Sequence, residues 1–244
     1  FSIKPFSFEV DSGILIPGHR TLPFTDPNQI PDELEFFVNG EVVPKKIVTL
    51  PLSKVVPIYR LFGQEYIPQI LSYDSANSEK GFAKSGFELP QNISITVLDF
   101  QKWYNKWTFG ENDRLILEVT DWNLGFIEVS VQKDERTNPF EITVLEEQRE
   151  KWYYRFEKYL LASIMRYGAC KSIEEQLAYT YFIANDKVTF PACGSSEEFL
   201  DRTKSFEIKS YGIETRLSAL NEDIPAISDW LELFDNAKAT ENTL

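Results

Sequence analysis

The character of the sequence changes near Thr143, and this change limits the folds that the chain can adopt. Before it, short β-forming runs alternate with turns that contain Pro, Gly, Asn or Asp. After it, Thr143 and Glu146 have the spacing of a capping box, which opens an α-helix, and further helix signals follow. We therefore predict an α+β chain. A β-rich domain over 1–138, a barrel-like or bent antiparallel sheet, is followed by a helical domain over 139–244 packed against it.

Two hairpins are the clearest elements of the β-rich part. Asn39 and Gly40 stand between two β-forming runs, and Asn-Gly is the preferred type I′ turn. A second hairpin is predicted over 114–132, because apolar and polar residues alternate on both sides of a turn near Gly125. Further strands are expected at 6–10, 13–16, 46–50, 54–60 and 93–98, with a helical turn at 99–107.

The helical part contains four expected helices. The first runs from Thr143 to about Tyr167, where Gly168 ends it, and carries an apolar stripe that includes Trp152, Phe156 and Leu160. Capping boxes predict two more helices, and a proline at a first-turn position predicts the last. These begin near Ser172, Ser195 and Pro225.

Net charge and hydropathy narrow the range of partners. The chain carries 25 basic and 38 acidic residues, for a net charge of −13. Up to Asn138 there are 13 basic and 19 acidic residues, and after it 12 and 19, so the halves carry −6 and −7. An evenly acidic surface repels phosphate, so we expect no binding to duplex nucleic acid. No apolar run approaches the roughly 18 residues of a membrane helix, so no membrane association is expected.

The histidine and cysteine counts exclude several kinds of site. His19 is the only histidine, so an HExxH zinc site and a two-cysteine, two-histidine finger cannot form. The chain also lacks the phosphate-binding glycine motifs, and we expect neither a metal nor a cofactor. Cys170 and Cys193 are too few for a disulfide framework, which favours free thiols and a cytoplasmic location.

With no catalytic motif in evidence, the sequence favours a non-catalytic binding or interaction protein. Its partner would be a protein or a small molecule, engaged through an acidic surface and exposed aromatic side chains. Asp121 and Trp122 are candidates because a carboxylate beside an aromatic ring at a strand end suits ligand binding. His19 is a further candidate because it lies in a predicted loop, where functional residues concentrate.

Two other functions are kept as alternatives. Carboxylates near the 110–128 hairpin could serve a hydrolase, because paired acids support hydrolytic chemistry. The segment 102–114 interleaves Trp103 and Trp107 with cationic residues, a composition that binds single-stranded nucleic acid. The carboxylates considered for the hydrolase are Glu111, Asp113, Asp121 and Glu128.

Overall fold

The chain has an α+β fold. A computed structural model describes residues 1–220, except for 27–28, 31, 63–66, 78–88, 134–138, 169–171, 190–192 and 212–213. The chain divides into two compact units, Phe1–Glu141 and Ile142–Leu244. Most of the strands lie in the first unit.

The first unit contains an open five-stranded sheet. In spatial order its strands are β1 (Ser2–Ile3), β7 (Arg114–Asp121), β8 (Phe126–Gln132), β3 (Glu35–Val38) and β4 (Glu41–Val42). Strands β3 and β8 are parallel and the other neighbours are antiparallel, so the sheet is mixed. The barrel-like form is not confirmed, and one pairing departs from the expected antiparallel sheet, because β3 and β8 are distant in sequence and meet in parallel.

Both predicted hairpins are confirmed. Asn39 and Gly40 have φ values of 52° and 73°, the positive angles that a type I′ turn requires. Strands β7 and β8 pair over most of their length, with an irregularity between Val119 and Asp121. Alternate residues of these strands point into the core, where they pack with Phe36 of β3. They are Leu115, Leu117, Ile127 and Val129.

A three-stranded sheet completes the β structure of the first unit. Its order is β2 (Ile14–Leu15), β6 (Asn92–Asp99) and β5 (Lys45–Pro51). Beyond the short β2, side chains take over the edge of β6: Asp74 accepts hydrogen bonds from the backbone N–H and the hydroxyl of Thr96, both at 2.8 Å. Asn77 donates to the carbonyl of Ser94 at 2.8 Å. The polar backbone groups at this edge are therefore satisfied.

Two segments that we expected to be strands are helices. Instead of a strand at 6–10, helix α1 spans Ser7–Ser12, because the Glu9 carboxylate bonds back to the N–H of Phe6 and Gly13 ends the helix at φ 63°. Helix α2 spans Leu52–Tyr59, where a strand was expected at 54–60. Val55, Ile58 and Tyr59 are buried at helical spacing, and this packing outweighs the β-forming character of the segment.

Two more helices belong to the first unit. Helix α3 spans Ile67–Tyr73. Helix α4 spans Gln101–Trp107 and ends at Thr108, which has a φ of 49°. The helical turn predicted at 99–107 is thereby confirmed.

The second unit contains three helices among its described residues. Helix α5 spans Pro139–Tyr167, followed by Gly168 at φ 89°, so the predicted end is confirmed. Its predicted start is wrong, because the helix is already four residues long at Thr143. Helices α6 (Ile173–Ala184) and α7 (Ser196–Arg202) begin at the predicted capping boxes of Ser172 and Ser195. The helix expected from Pro225 lies outside the described residues.

The core of the second unit contains a cluster of aromatic rings among aliphatic side chains. Trp152, Phe156 and Leu160 of α5 are fully buried, which confirms the predicted stripe. The Phe156 ring lies 5.0 Å from that of Trp152 and 4.7 Å from that of Phe199. The Trp152 Nε1 group donates to the carbonyl of Val188 at 2.9 Å, so its polar atom is satisfied inside the core.

A hairpin in the second unit was not predicted. Strands β9 (Phe206–Tyr211) and β10 (Glu214–Ala219) pair antiparallel, so the part predicted as helical also contains a two-stranded sheet. Buried Gln176 of α6 bonds to both backbone groups of Leu217, accepting from its N–H at 2.7 Å and donating to its carbonyl at 3.0 Å. The hairpin is thus joined to α6 through one side chain.

Candidate functional site

A row of four residues crosses the exposed face of the five-stranded sheet. Glu118 pairs with Glu128, Glu128 with Phe37, and Phe37 with Val42, on strands β7, β8, β3 and β4 respectively. The neighbours of Glu128 and Phe37 along their strands are buried core residues, so the row itself lies on the opposite face. We call this row together with Phe126 the outer sheet surface.

One half of the outer sheet surface is apolar. The rings of Phe37 and Phe126 meet edge to face, with centroids 5.3 Å apart and planes at 68°. Both rings are half-buried, and Val42 beside Phe37 is 50% exposed. Apolar side chains gathered on a rigid sheet are typical of contact surfaces for other proteins.

The other half of the outer sheet surface is acidic. Glu118 and Glu128 stand directly opposite each other, and Glu128 accepts a hydrogen bond from the N–H of Gly40 at 3.3 Å. Within the described parts of the chain, no lysine or arginine forms an ion pair with either carboxylate. Like charges at directly opposed positions of a sheet are unfavourable.

The tip of the β7–β8 hairpin carries two further exposed apolar side chains. Asp121, which pairs with Phe126, accepts a hydrogen bond from the N–H of Leu124 at 2.9 Å and thereby fixes the turn. Within this turn Trp122 is 48% exposed and Leu124 is 55% exposed. Of the predicted candidates, Trp122 is thus available to a partner, whereas Asp121 shapes the turn that presents it.

Trp103 and Trp107 occupy the interior side of α4. Trp103 is only 2% exposed and lies beneath two lysines, with Lys102 Nζ 4.4 Å and Lys106 Nζ 5.5 Å from its ring centroid. Trp107 is half-buried, and its ring centroid is 6.1 Å from that of Trp103. Lys102 also forms an ion pair with Glu41. A covered ring offers no face on which a base could stack.

His19 is fully buried in a short 3₁₀ helix, Gly18–Thr21. Burial lowers the pKa of His19 well below 6.5, and the positive charges of Arg20 and Arg60 lower it further. The imidazole is therefore neutral at physiological pH. The structure places His19 in the core of the first unit, away from any ligand arriving from solvent.

The hydrolase candidates do not gather into one site. Asp113 is buried, accepts from the N–H of Gly110 at 2.7 Å and pairs with Lys133 Nζ at 2.6 Å. Glu111 is exposed on a turn, and Asp121 and Glu128 have the partners given above. Over the described ranges no three His, Cys, Asp or Glu side chains are placed to hold a metal ion. These contacts serve turns and strand ends.

Comparison with known proteins gives no relative from which a function could be transferred. No protein-family model matches the chain, and no curated protein or solved structure is significantly similar to it. In the part of the chain that the structure describes, none of the helices has the length and apolar character needed to cross a bilayer.

Sequence reasoning missed most of the outer sheet surface. The alternation in β7 and β8 was recognised, and it places Glu118 and Glu128 on the same side as each other. The positions of Phe37 and Val42 depend on the parallel pairing of β3 with β8, for which the sequence has no local signal. The Asn39–Gly40 turn predicted that the runs containing Phe37 and Val42 pair with each other, but not that they join a surface with β8.

Proposed function

We propose that this chain is a non-catalytic interaction protein that binds another protein through the outer sheet surface and the hairpin tip. The observation that carries the proposal is that Val42 on β4 and the half-buried rings of β3 and β8 form one apolar row, while the turn after β7 presents the exposed side chains of Trp122 and Leu124. Trp122 is central, because tryptophan is among the residues that contribute most to binding at protein interfaces.

The rigidity of this region favours recognition over catalysis. Strand pairing fixes Val42, Phe37 and Phe126, and the Asp121 to Leu124 hydrogen bond fixes the tip. A surface held in this way loses little conformational entropy when a partner binds. The proposal keeps the cytoplasmic location, which rests on the two cysteines of the sequence.

The two alternatives have less support. A carboxylate-dependent hydrolase would use acids that already bond to turns and to Lys133. A single-strand nucleic-acid site would use Trp103, which is covered. Binding through the apolar groups of the outer sheet surface and the hairpin tip requires neither the release of these acids nor the uncovering of Trp103.

The test is affinity capture with the immobilised full chain. A variant carrying Trp122→Ser and Leu124→Ser is compared with the parent and with a matched control, Tyr154→Ser with Phe182→Ser, which removes exposed apolar groups elsewhere. We expect one or more proteins to be retained by the parent and the control but lost by the tip variant. Equal retention by all three would contradict the proposal, and calorimetry with the purified partner would confirm direct binding.

A further inference from the structure

The acidic half of the outer sheet surface indicates what kind of segment binds. Glu118 and Glu128 occupy directly opposed positions on neighbouring strands, whose spacing is about 4.8 Å, and neither forms an ion pair with a described cation. The Glu128 carboxylate also accepts a hydrogen bond from the N–H of Gly40 at 3.3 Å. A positive charge placed between two neighbouring carboxylates is attracted by both and offsets the unfavourable pairing of like charges.

The apolar half fixes the second requirement. Phe37 and Val42 continue the same row, so the centre of the apolar pair lies two strand spacings, roughly 10 Å, from the centre of the acidic pair. A segment that satisfies both halves carries a cation and an apolar side chain at about that separation. Arginine fits best, because its planar guanidinium has donors for two carboxylates at once.

We infer that the partner contributes a basic segment, in which an arginine or lysine bridges Glu118 and Glu128 while an apolar side chain packs on Phe37 and Val42. This inference rests on the proposed function and names the chemistry of the partner. The apolar surface supplies the docking area, and the carboxylates select the sign of the charge.

A display library of random short peptides, selected on the immobilised full chain, tests this inference. We expect enriched peptides to contain arginine or lysine together with a large apolar residue. Against Glu118→Gln with Glu128→Gln, their affinity should fall roughly five- to tenfold, since two exposed ion pairs are lost. Gln at these positions removes a repulsion, so the variant remains folded.

The matched control is Glu146→Gln with Glu147→Gln, which makes the same change in net charge on the exposed side of α5. Affinity for this control should equal that for the parent. Equal losses in both double variants would overturn the inference, since only overall charge would then matter. The inference would also be overturned if the enriched peptides carried no arginine or lysine, or if no peptide were enriched.

One further variant separates this inference from the proposed function. Val42→Ser should lower the affinity of the protein for the enriched peptides, because it removes part of the apolar half. If Val42→Ser weakens binding while the Glu118 and Glu128 double variant does not, the docking surface stands and the basic partner is wrong. If neither changes binding, the outer sheet surface is not the binding site.

Discussion

Arg20 and Glu9 form an ion pair in the interior of the first unit, with Arg20 Nη1 2.8 Å from Oε2 and 3.0 Å from Oε1 of Glu9. The same carboxylate accepts from the N–H groups of Phe6 and Ile16, each at 2.8 Å. One side chain therefore holds the start of α1, the strand after it and the 3₁₀ helix in a fixed arrangement.

Removing the charge of Glu9 should destabilise the protein strongly. Glu9→Gln removes the carboxylate charge that pairs with the buried Arg20 guanidinium, and breaking a buried pair in this way costs about 3–5 kcal/mol. Chemical denaturation measures the loss. Asp11→Asn is the matched control, since Asp11 lies exposed on the same helix, and it should change the free energy of unfolding by less than about 0.5 kcal/mol. Similar effects in both variants would contradict a structural role for the pair.

Stability should depend on pH through His19. Its pKa is lowered in the folded state, so below about pH 6.5 the unfolded chain takes up a proton that the folded chain does not. The free energy of unfolding should therefore decrease as pH falls from about 6.5, by up to about 1.4 kcal/mol per pH unit. Above that pH the contribution of His19 should no longer change with pH. Denaturant titrations between about pH 5.5 and 7.5 measure this slope, and His19→Gln should flatten it. Parallel curves for parent and variant would refute the assignment.

Trp152 should be among the most sensitive positions of the second unit. Trp152→Ala removes a fully buried ring and should cost about 3–5 kcal/mol. Tyr154→Ala, on the same helix and 61% exposed, serves as the control and should have little effect. Denaturant melts of both variants measure the difference, and a loss under about 1 kcal/mol for Trp152→Ala would contradict its place in the core.

We expect no appreciable binding to nucleic acid. The net charge is −13, and the best stacking candidate, Trp103, is buried. Fluorescence anisotropy with a random duplex and with a single-stranded oligonucleotide should give no affinity in the range of about 10⁻⁴ to 10⁻⁶ M that non-specific binders show. Salt-sensitive micromolar binding of the single strand, lost in Lys102→Gln with Lys106→Gln, would restore the nucleic-acid alternative.

Local signals in the sequence predicted local structure well. The capping boxes at Ser172 and Ser195 were recognisable because cap and partner lie three residues apart. The Asn39–Gly40 turn succeeded for the same reason. The α2 segment was misassigned because its β-forming residues also match a helical stripe, and the choice between the two depends on distant packing partners. The β9–β10 hairpin did carry a signal, the alternation of Phe206 and Ile208 with charged residues, which was overlooked.

The candidate site was harder to predict than the fold. Trp122 was identified from its position at a strand end, and it is exposed. His19 and Trp103 were chosen as residue types with useful chemistry, but the sequence does not show whether a side chain is buried. The outer sheet surface combines two predicted hairpins, and only the parallel pairing of β3 with β8 reveals that they adjoin.

The bonds between Gln176 and Leu217 have a consequence for dynamics. The amide hydrogen of Leu217 is held by a helix, so its exchange with solvent requires α6 and β10 to separate. Amides at the ends of a hairpin normally exchange by local fraying, whereas the buried amide of Leu217 should exchange only in larger opening events. Gln176, 41 residues before Leu217 in the chain, thereby couples the local opening of the β9–β10 hairpin to that of helix α6.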